Sequence, residues 1–248
     1  MIVLKSEDEI KRMAESCRIV AEVLEGIKKN IAAGVSTKEI DGFTESFIIA
    51  RKAQPAFKGY RGYPASICTS INEQVVHGIP SSQKLKDGDI ISLDIGVLYK
   101  GFYGDAVVTL PVGSVSSQAR KLISVTEKAL EAGMERAVEG NRLSDISSAV
   151  QGCVETEGFS VVRSFVGHGI GRELHEEPQI PNFGTPGEGP ALRPGMTLAI
   201  EPMVNAGGWE VIILNDGWTA VTKDRSLSAH FEHTVAITKN GCNILTKL

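Results

Sequence analysis

Residues 90–99 alternate strictly. Ile91, Leu93, Ile95 and Val97 fall on one face of an extended chain, and Ser92, Asp94 and Gly96 on the other. The pattern predicts a strand with an apolar underside and a small, polar upper face carrying Asp94. Lys100-Gly101 then reads as turn chemistry, and a second β-rich run through Asp105 predicts the return strand of a hairpin. A hairpin centred between Tyr99 and Lys100 sets Asp94 directly opposite Asp105, with Cβ atoms about 4.5–5.5 Å apart. Two carboxylates that close resist joint ionisation unless a proton or a cation lies between them. These two residues alone leave two readings open: a metal between them, or another register in which one Asp faces solvent.

Elsewhere the apolar period is helical. Ser6 and Glu9 have capping-box spacing, and Ile10, Met13, Cys17, Val20, Leu24, Ile27 and Ile31 follow at helical intervals, with Gly34 expected to end the helix. Ser36 and Glu39 repeat the box and open a second helix to about Arg51. A glycine- and tyrosine-rich loop at 59–64, a short strand at 66–70 and the segment 75–80 lead into the hairpin. The pattern then recurs: a helix from Ser116 to about Met134, a break at Gly140, and a shorter helix carrying Ile146, Val150 and Val154. Gly34, Glu39 and Ile40 match Gly140, Asp145 and Ile146 in spacing. Helix–helix–strands, twice, predicts an α+β fold in two pseudo-symmetric halves, about 1–113 and 114–248, with antiparallel sheet backed by four helices. Residues 180–196, rich in Pro and Gly, read as a loop within one 1–248 domain.

Composition narrows the class without naming a function. A chain of 248 residues that is 42% hydrophobic and 23% charged is an ordinary globular composition. Its net charge of −4 gives no general case for DNA or an anionic membrane. The one early apolar run, Ile2-Val3-Leu4, is too short for a signal peptide or a span. Cys17, Cys68, Cys153 and Cys242 lie far apart, so buried thiols are expected instead of disulfides or zinc ligands. A cytoplasmic protein is expected.

Three further residues carry chemistry. His168 stands between glycines in Val166-Gly167-His168-Gly169-Ile170-Gly171, a position open to close approach, and His175 follows shortly after. Glu201 ends the apolar run 197–202. Glu232 lies inside 229–237, read as one strand with His230, Glu232, Thr234 and Ala236 on one face. A carboxylate among core residues is costly unless paired or liganded, and Asp94, Glu201 and Glu232 repeat that feature. With Asp105 and His168 they point to one shared site.

In this order and setting, the five residues Asp94, Asp105, His168, Glu201 and Glu232 resemble the metal ligands of the type I, bacterial-form methionine aminopeptidases, the pita-bread metallopeptidase family. Ser70-Ile71-Asn72-Glu73, His77-Gly78-Ile79-Pro80, Gly167 to Gly171, Ala199-Ile200-Glu201-Pro202-Met203 and Phe231-Glu232-His233-Thr234 all fit. The match spans nearly the whole chain. It implies a dimetal exopeptidase that removes the N-terminal methionine of nascent chains when the second residue is small. It also implies two divalent ions (Co, Mn, Fe or Zn), whose charge four carboxylates balance, and oxygen-rich ligands with one imidazole suit such ions. By the same resemblance Asp94 chelates one ion, Asp105 and Glu232 bridge, and His168 and Glu201 complete the other. Glu201 also passes a proton, His175 donates to the carbonyl oxygen, and His77 contacts the scissile amide. Tyr60, Tyr63, Cys68, Leu174 and Trp218, with Phe57 nearby, wall the methionine pocket, where thioether sulfur favours aromatic contacts. A monovalent cation on carbonyls around Asn72, Gln74 and Ser228, a monomeric state and transient ribosome contact also follow from it. His230 and His233 are left as structural. The competing readings are an Xaa-Pro dipeptidase of the same fold and a non-catalytic pita-bread binding module.

Overall fold

The computed structural model describes residues 1–247; Leu248, last of the expected 1–248 domain, lies outside the described residues. The alternating segment forms strand Ile90–Tyr99 and returns as Phe102–Pro111. Its register differs from the one expected. Lys100 and Gly101 both take positive φ, 49° and 80°, as a two-residue hairpin turn with the right twist requires. Tyr99 therefore pairs with Phe102, Asp94 with Val107, and Asp105 with Gly96. The aspartates are diagonal neighbours instead of opposed ones. A shift of two residues keeps both on the same face, so the site survives the correction.

Among the described residues, nine strands make the main sheet and two smaller sheets have three strands each. From the hairpin the main sheet continues, antiparallel throughout, through Glu232–Thr238, Thr197–Ile200, Gly167–Gly169 and Glu176–Ile180. Four helices back it: α1 Glu7–Lys28, α2 Thr37–Ala50, α3 Ser117–Arg136 and α4 Leu143–Thr156. Both Ser capping boxes form as expected. Helix α1 stops at Lys28, short of Gly34, where the Asn30 side-chain amide donates to the Gly26 carbonyl at 2.8 Å and closes the last turn. Gly34 instead turns the chain so that its N–H reaches the Leu85 carbonyl at 2.8 Å.

The two halves repeat this device. Gly34 and Gly140 sit at φ 94° and 95°, a conformation costly for residues with a Cβ. Two residues later Ser36 N–H donates to Glu39, and Arg142 N–H to Asp145, at 2.8 and 2.7 Å. The apolar faces of α1 and α2 pack under the hairpin through Val20, Val23, Leu24, Ile40 and Ile48 against Ile91, Leu93 and Ile95. Helices α3 and α4 share a second core through Leu122, Val125, Ala129, Val150 and Val154.

The loop expected over 180–196 starts one residue later: Ile180 ends the strand Glu176–Ile180, and residues 181–196 carry no named strand or helix. The run 229–237 does break. Ser228–His230 belongs to a small sheet and Glu232–Thr238 to the main one, with Phe231 between them. Among the described residues all four cysteines are free thiols; Cys17 and Cys68 are buried, Cys153 and Cys242 half-buried. No described helix is long and apolar enough to cross a membrane.

Candidate metal centre

The polar faces of the main sheet meet over one cavity of about 150 Å³, and all five expected ligands line it. Asp94 and Asp105 come from the hairpin. Gly96 lies across from Asp105, and a Cβ there would crowd the Phe57 ring at 2.6 Å, so an aromatic wall occupies that space. Glu232 begins its strand opposite Val107. Thr234 then interlocks the strands: its hydroxyl accepts Asp105 N–H at 3.1 Å and donates to the Asp105 carbonyl at 2.8 Å.

His168 is a strand residue, not a loop one. The flanking glycines do not leave it open; they let neighbouring strands close in. A Cβ on Gly167 would lie 2.5 Å from the Ala199 carbonyl oxygen, and one on Gly169 would collide with the Glu177 carbonyl. His168 Nδ1 donates to the Gly169 carbonyl at 2.9 Å, since a carbonyl can only accept. That leaves Nε2 with a free lone pair, 3.5 Å from Glu201 Oε1. Burial lowers the His168 pKa to about 4, so the imidazole is neutral at pH 7 and fit to bind a metal.

Without a cation this cluster is badly compensated. Asp94 Oδ1, Asp105 Oδ1 and Glu232 Oε1 are buried with no hydrogen-bond partner in the protein. Burial raises all four carboxylates well above their usual range. Glu201 raises Asp94 further, Asp94 raises Asp105, and Asp105 raises both Glu201 and Glu232. Asp105, His168 and Glu232 each offer a ligand atom within 4.8 Å of the others. Asp94 and Glu201 stand outside this tightest trio and face the same cavity. Orphaned carboxylate oxygens beside a neutral imidazole fit divalent metal.

Apart from Arg61, which the sequence reading did not place there, the remaining wall is aromatic and apolar. Phe57, Tyr60, Tyr63, Cys68, His77, Leu174, His175 and Trp218 all line the cavity, so every expected pocket residue is present there. Tyr63 meets Trp218 edge-on at 5.1 Å, and its hydroxyl donates to the Gly78 carbonyl at 3.0 Å. His77 holds a positive φ of 60° against Phe165 and Trp218, and burial lowers its pKa. His175 stands at the mouth, its Nδ1 3.0 Å from the Tyr60 hydroxyl and its ring 4.2 Å from that of His168. Partial burial holds it well below the usual imidazole pKa, helped by His168, Arg61 and His77.

A profile of metallopeptidase family M24 matches residues 11–239. The chain belongs to this family. Its branch is that of the type I bacterial methionine aminopeptidases: it is 55% identical over 248 residues to methionine aminopeptidase 1 of Bacillus subtilis, covering all of both chains. The solved methionine aminopeptidase of Thermotoga maritima superposes with a TM-score of 0.98 at 49% identity, again over all of both chains. A prolidase from Pyrococcus furiosus shares the pita-bread fold at a TM-score of 0.82 and 24% identity, over 99% of this chain and 66% of that one. That likeness concerns fold alone.

Against the M24 site, the sequence reading missed one contact. His230, left as structural, is buried, and its Nε2 lies 3.4 Å from Glu201 Oε2 with no hydrogen-bond partner. The signal was present, because His230 and Glu232 share a face in the alternation. His233 is a structural residue, its Nδ1 2.8 Å from the Thr246 hydroxyl.

Proposed function

We propose that this pita-bread metallo-exopeptidase removes N-terminal methionine from nascent chains whose second residue is small, using two divalent ions held by the five ligands. The carrying observation is the set of buried, partnerless carboxylate oxygens beneath an aromatic pocket. Asp94 would serve one ion, Asp105 and Glu232 both, and His168 and Glu201 the other; the metal is Co, Mn, Fe or Zn. When bound, such ions supply Lewis acidity toward water and toward the scissile carbonyl.

The protein's own groups do the rest. Glu201 takes the proton of the attacking water and returns it to the leaving amine. Tyr60 O–H, 3.0 Å from His175 Nδ1, would donate to that nitrogen and so leave the proton on Nε2 to meet the carbonyl oxygen as it gains charge. His77 contacts the scissile amide. Tyr60, Tyr63, Cys68, Leu174 and Trp218 surround the thioether and exclude water around it. The same reading makes 1–248 one catalytic domain, active as a cytoplasmic monomer in transient contact with ribosomes. It also puts a monovalent cation on carbonyls around Asn72, Gln74 and Ser228; of these residues, Ser228 lies beside Asn72, its N–H donating to the Asn72 carbonyl at 2.8 Å.

The test is metal-dependent release of free methionine from Met-Gly-Met, with Gly-Pro as control. Methionine release abolished by chelator is expected. Cleavage of Gly-Pro with Met-Gly-Met untouched would replace this reading with the dipeptidase one.

A further inference from the structure

The segment before α1 is anchored. Lys5 N–H donates to the Gly195 carbonyl at 2.7 Å, and Ile2 packs against the core around Leu192, Met196 and Leu198. From this anchor the Lys5 side chain turns inward until only 3% of it is exposed. Its ammonium donates to the Val3 carbonyl at 3.2 Å and pairs with Glu176, whose side chain is 11% exposed. Gly171 makes room, since a Cβ there would collide with the Lys5 chain.

Glu176 divides its two oxygens between Lys5 and one turn. Oε2 takes Lys5, while Oε1 accepts Arg172 N–H at 2.8 Å and Glu173 N–H at 3.2 Å. Residues 172–176 are thereby closed around a single carboxylate, and this turn carries Leu174 and His175 to the cavity. An exposed pair, Arg172 with Glu9 at 3.1 Å, ties the same turn to the start of α1. A buried ion pair adds little net stability, because dehydrating both ions offsets their attraction. What it does fix is geometry.

We propose that Lys5 is a positioning residue for the reaction: through Glu176 it sets the turn that presents His175 to the scissile carbonyl. The proposal rests on the role given to His175 above. Neither Lys5 nor Glu176 lines the cavity, so the effect passes through the backbone of 172–176.

Lys5→Met keeps the length and the apolar stem and removes the charge. On Met-Gly-Met its kcat should fall about 10- to 100-fold, the scale for a catalytic group displaced by about an ångström. KM should hold within about threefold, because most of the pocket wall comes from other segments. Bound metal should be unchanged, since no ligand sits on the turn. A wild-type kcat with only a lowered melting midpoint would overturn the proposal. The double variant Lys5→Met/Glu176→Gln removes the stranded carboxylate charge, and carries the test alone if the single variant does not fold. It should melt near the wild-type midpoint and remain slow; recovered kcat would show that the stranded charge, not lost positioning, caused the defect. His175→Ala run in parallel separates the two claims. If it turns over normally, the reading of His175 fails; if it is slow while both Lys5 variants are fast, only the role of Lys5 fails.

Discussion

The two halves bring their candidate ligands to the seam in different ways. The first supplies Asp94 and Asp105 from one continuous hairpin, ten residue pairs closed by a two-residue turn. The second supplies His168, Glu201 and Glu232 from three separate places, in or beside strands of three, four and seven residues. The hairpin's spacing is set by local pairing alone. The second set takes shape only when distant strands dock, as in the pairings His168 with Ala199 and His233 with Ile200. Within the main sheet, the hairpin meets strand Glu232–Thr238 through two residue pairs and the Thr234 hydroxyl. One half is thus a preformed edge and the other an assembled one, and the metal site lies along the line where they meet.

The comparison breaks most severely at Asp105, the hairpin residue within the tight trio. Asp105→Ala should lower turnover by more than about 10³-fold, beyond the loss of a single oxyanion donor, and prevent loading of a second ion. Elemental analysis at saturating metal checks it; one ion per chain in both wild type and variant would count against a dimetal seam. His175→Ala probes the assembled half away from the ligands. Turnover should drop about 10²- to 10³-fold with metal content retained, and metal lost with the side chain would mean that this histidine had been misassigned.

A smaller effect separates how each half is backed. A Cβ on Gly104 of the hairpin would lie 2.8 Å from the backbone nitrogen of Cys17, so α1 rests on the strand backbone to backbone. On α3, a Cβ at Gly133 would meet the Val150 Cγ2 at 2.9 Å, a side-chain atom that can move. Gly104→Ala should cost about 1–3 kcal/mol of overpacking in urea unfolding. Gly133→Ala should cost under about 1 kcal/mol, because the helix propensity of alanine offsets the crowding. Equal costs would erase the contrast.

The mildest effect concerns pH in protein stripped of metal. A carboxylate whose folded pKa lies above its unfolded value of about 4 stabilises the fold at low pH. It loses that contribution as pH rises through the folded pKa. All four site carboxylates are shifted in that direction. The melting midpoint of stripped protein should therefore fall further behind that of loaded protein between about pH 5 and pH 8. A gap that narrows with rising pH would show the carboxylates to be satisfied without metal.

What could be read from residues alone followed the same division. The faces of the hairpin were legible because strand alternation is local. Its register was not, because it hinges on Lys100, a non-glycine residue in a left-handed conformation. His168 looked open to close approach because a lone residue between glycines shows no period; the glycines answer to carbonyls of neighbouring strands. The break at Phe231 was hidden for a similar reason. Alternation runs through it unchanged, and only the two sheets competing for 228–238 cut it. His230 was passed over although its face was known, because nothing local says that Glu201 arrives opposite it.

The anchored start of the chain bears on the protein's own maturation. Met1 is exposed, yet Ile2 is held against the core and Lys5 is locked beneath the 172–176 turn. Once folded, this terminus would have to give up the packing of Ile2 to thread into the cavity of another copy. Before folding, the β-branched Ile2 would crowd the cleft if it takes small second residues as proposed, with few rotamers to turn aside. The chain should keep its initiator methionine at every stage of its life, and intact mass of untagged protein can contradict that directly. An editor of other proteins' beginnings would in this way be exempt from its own edit.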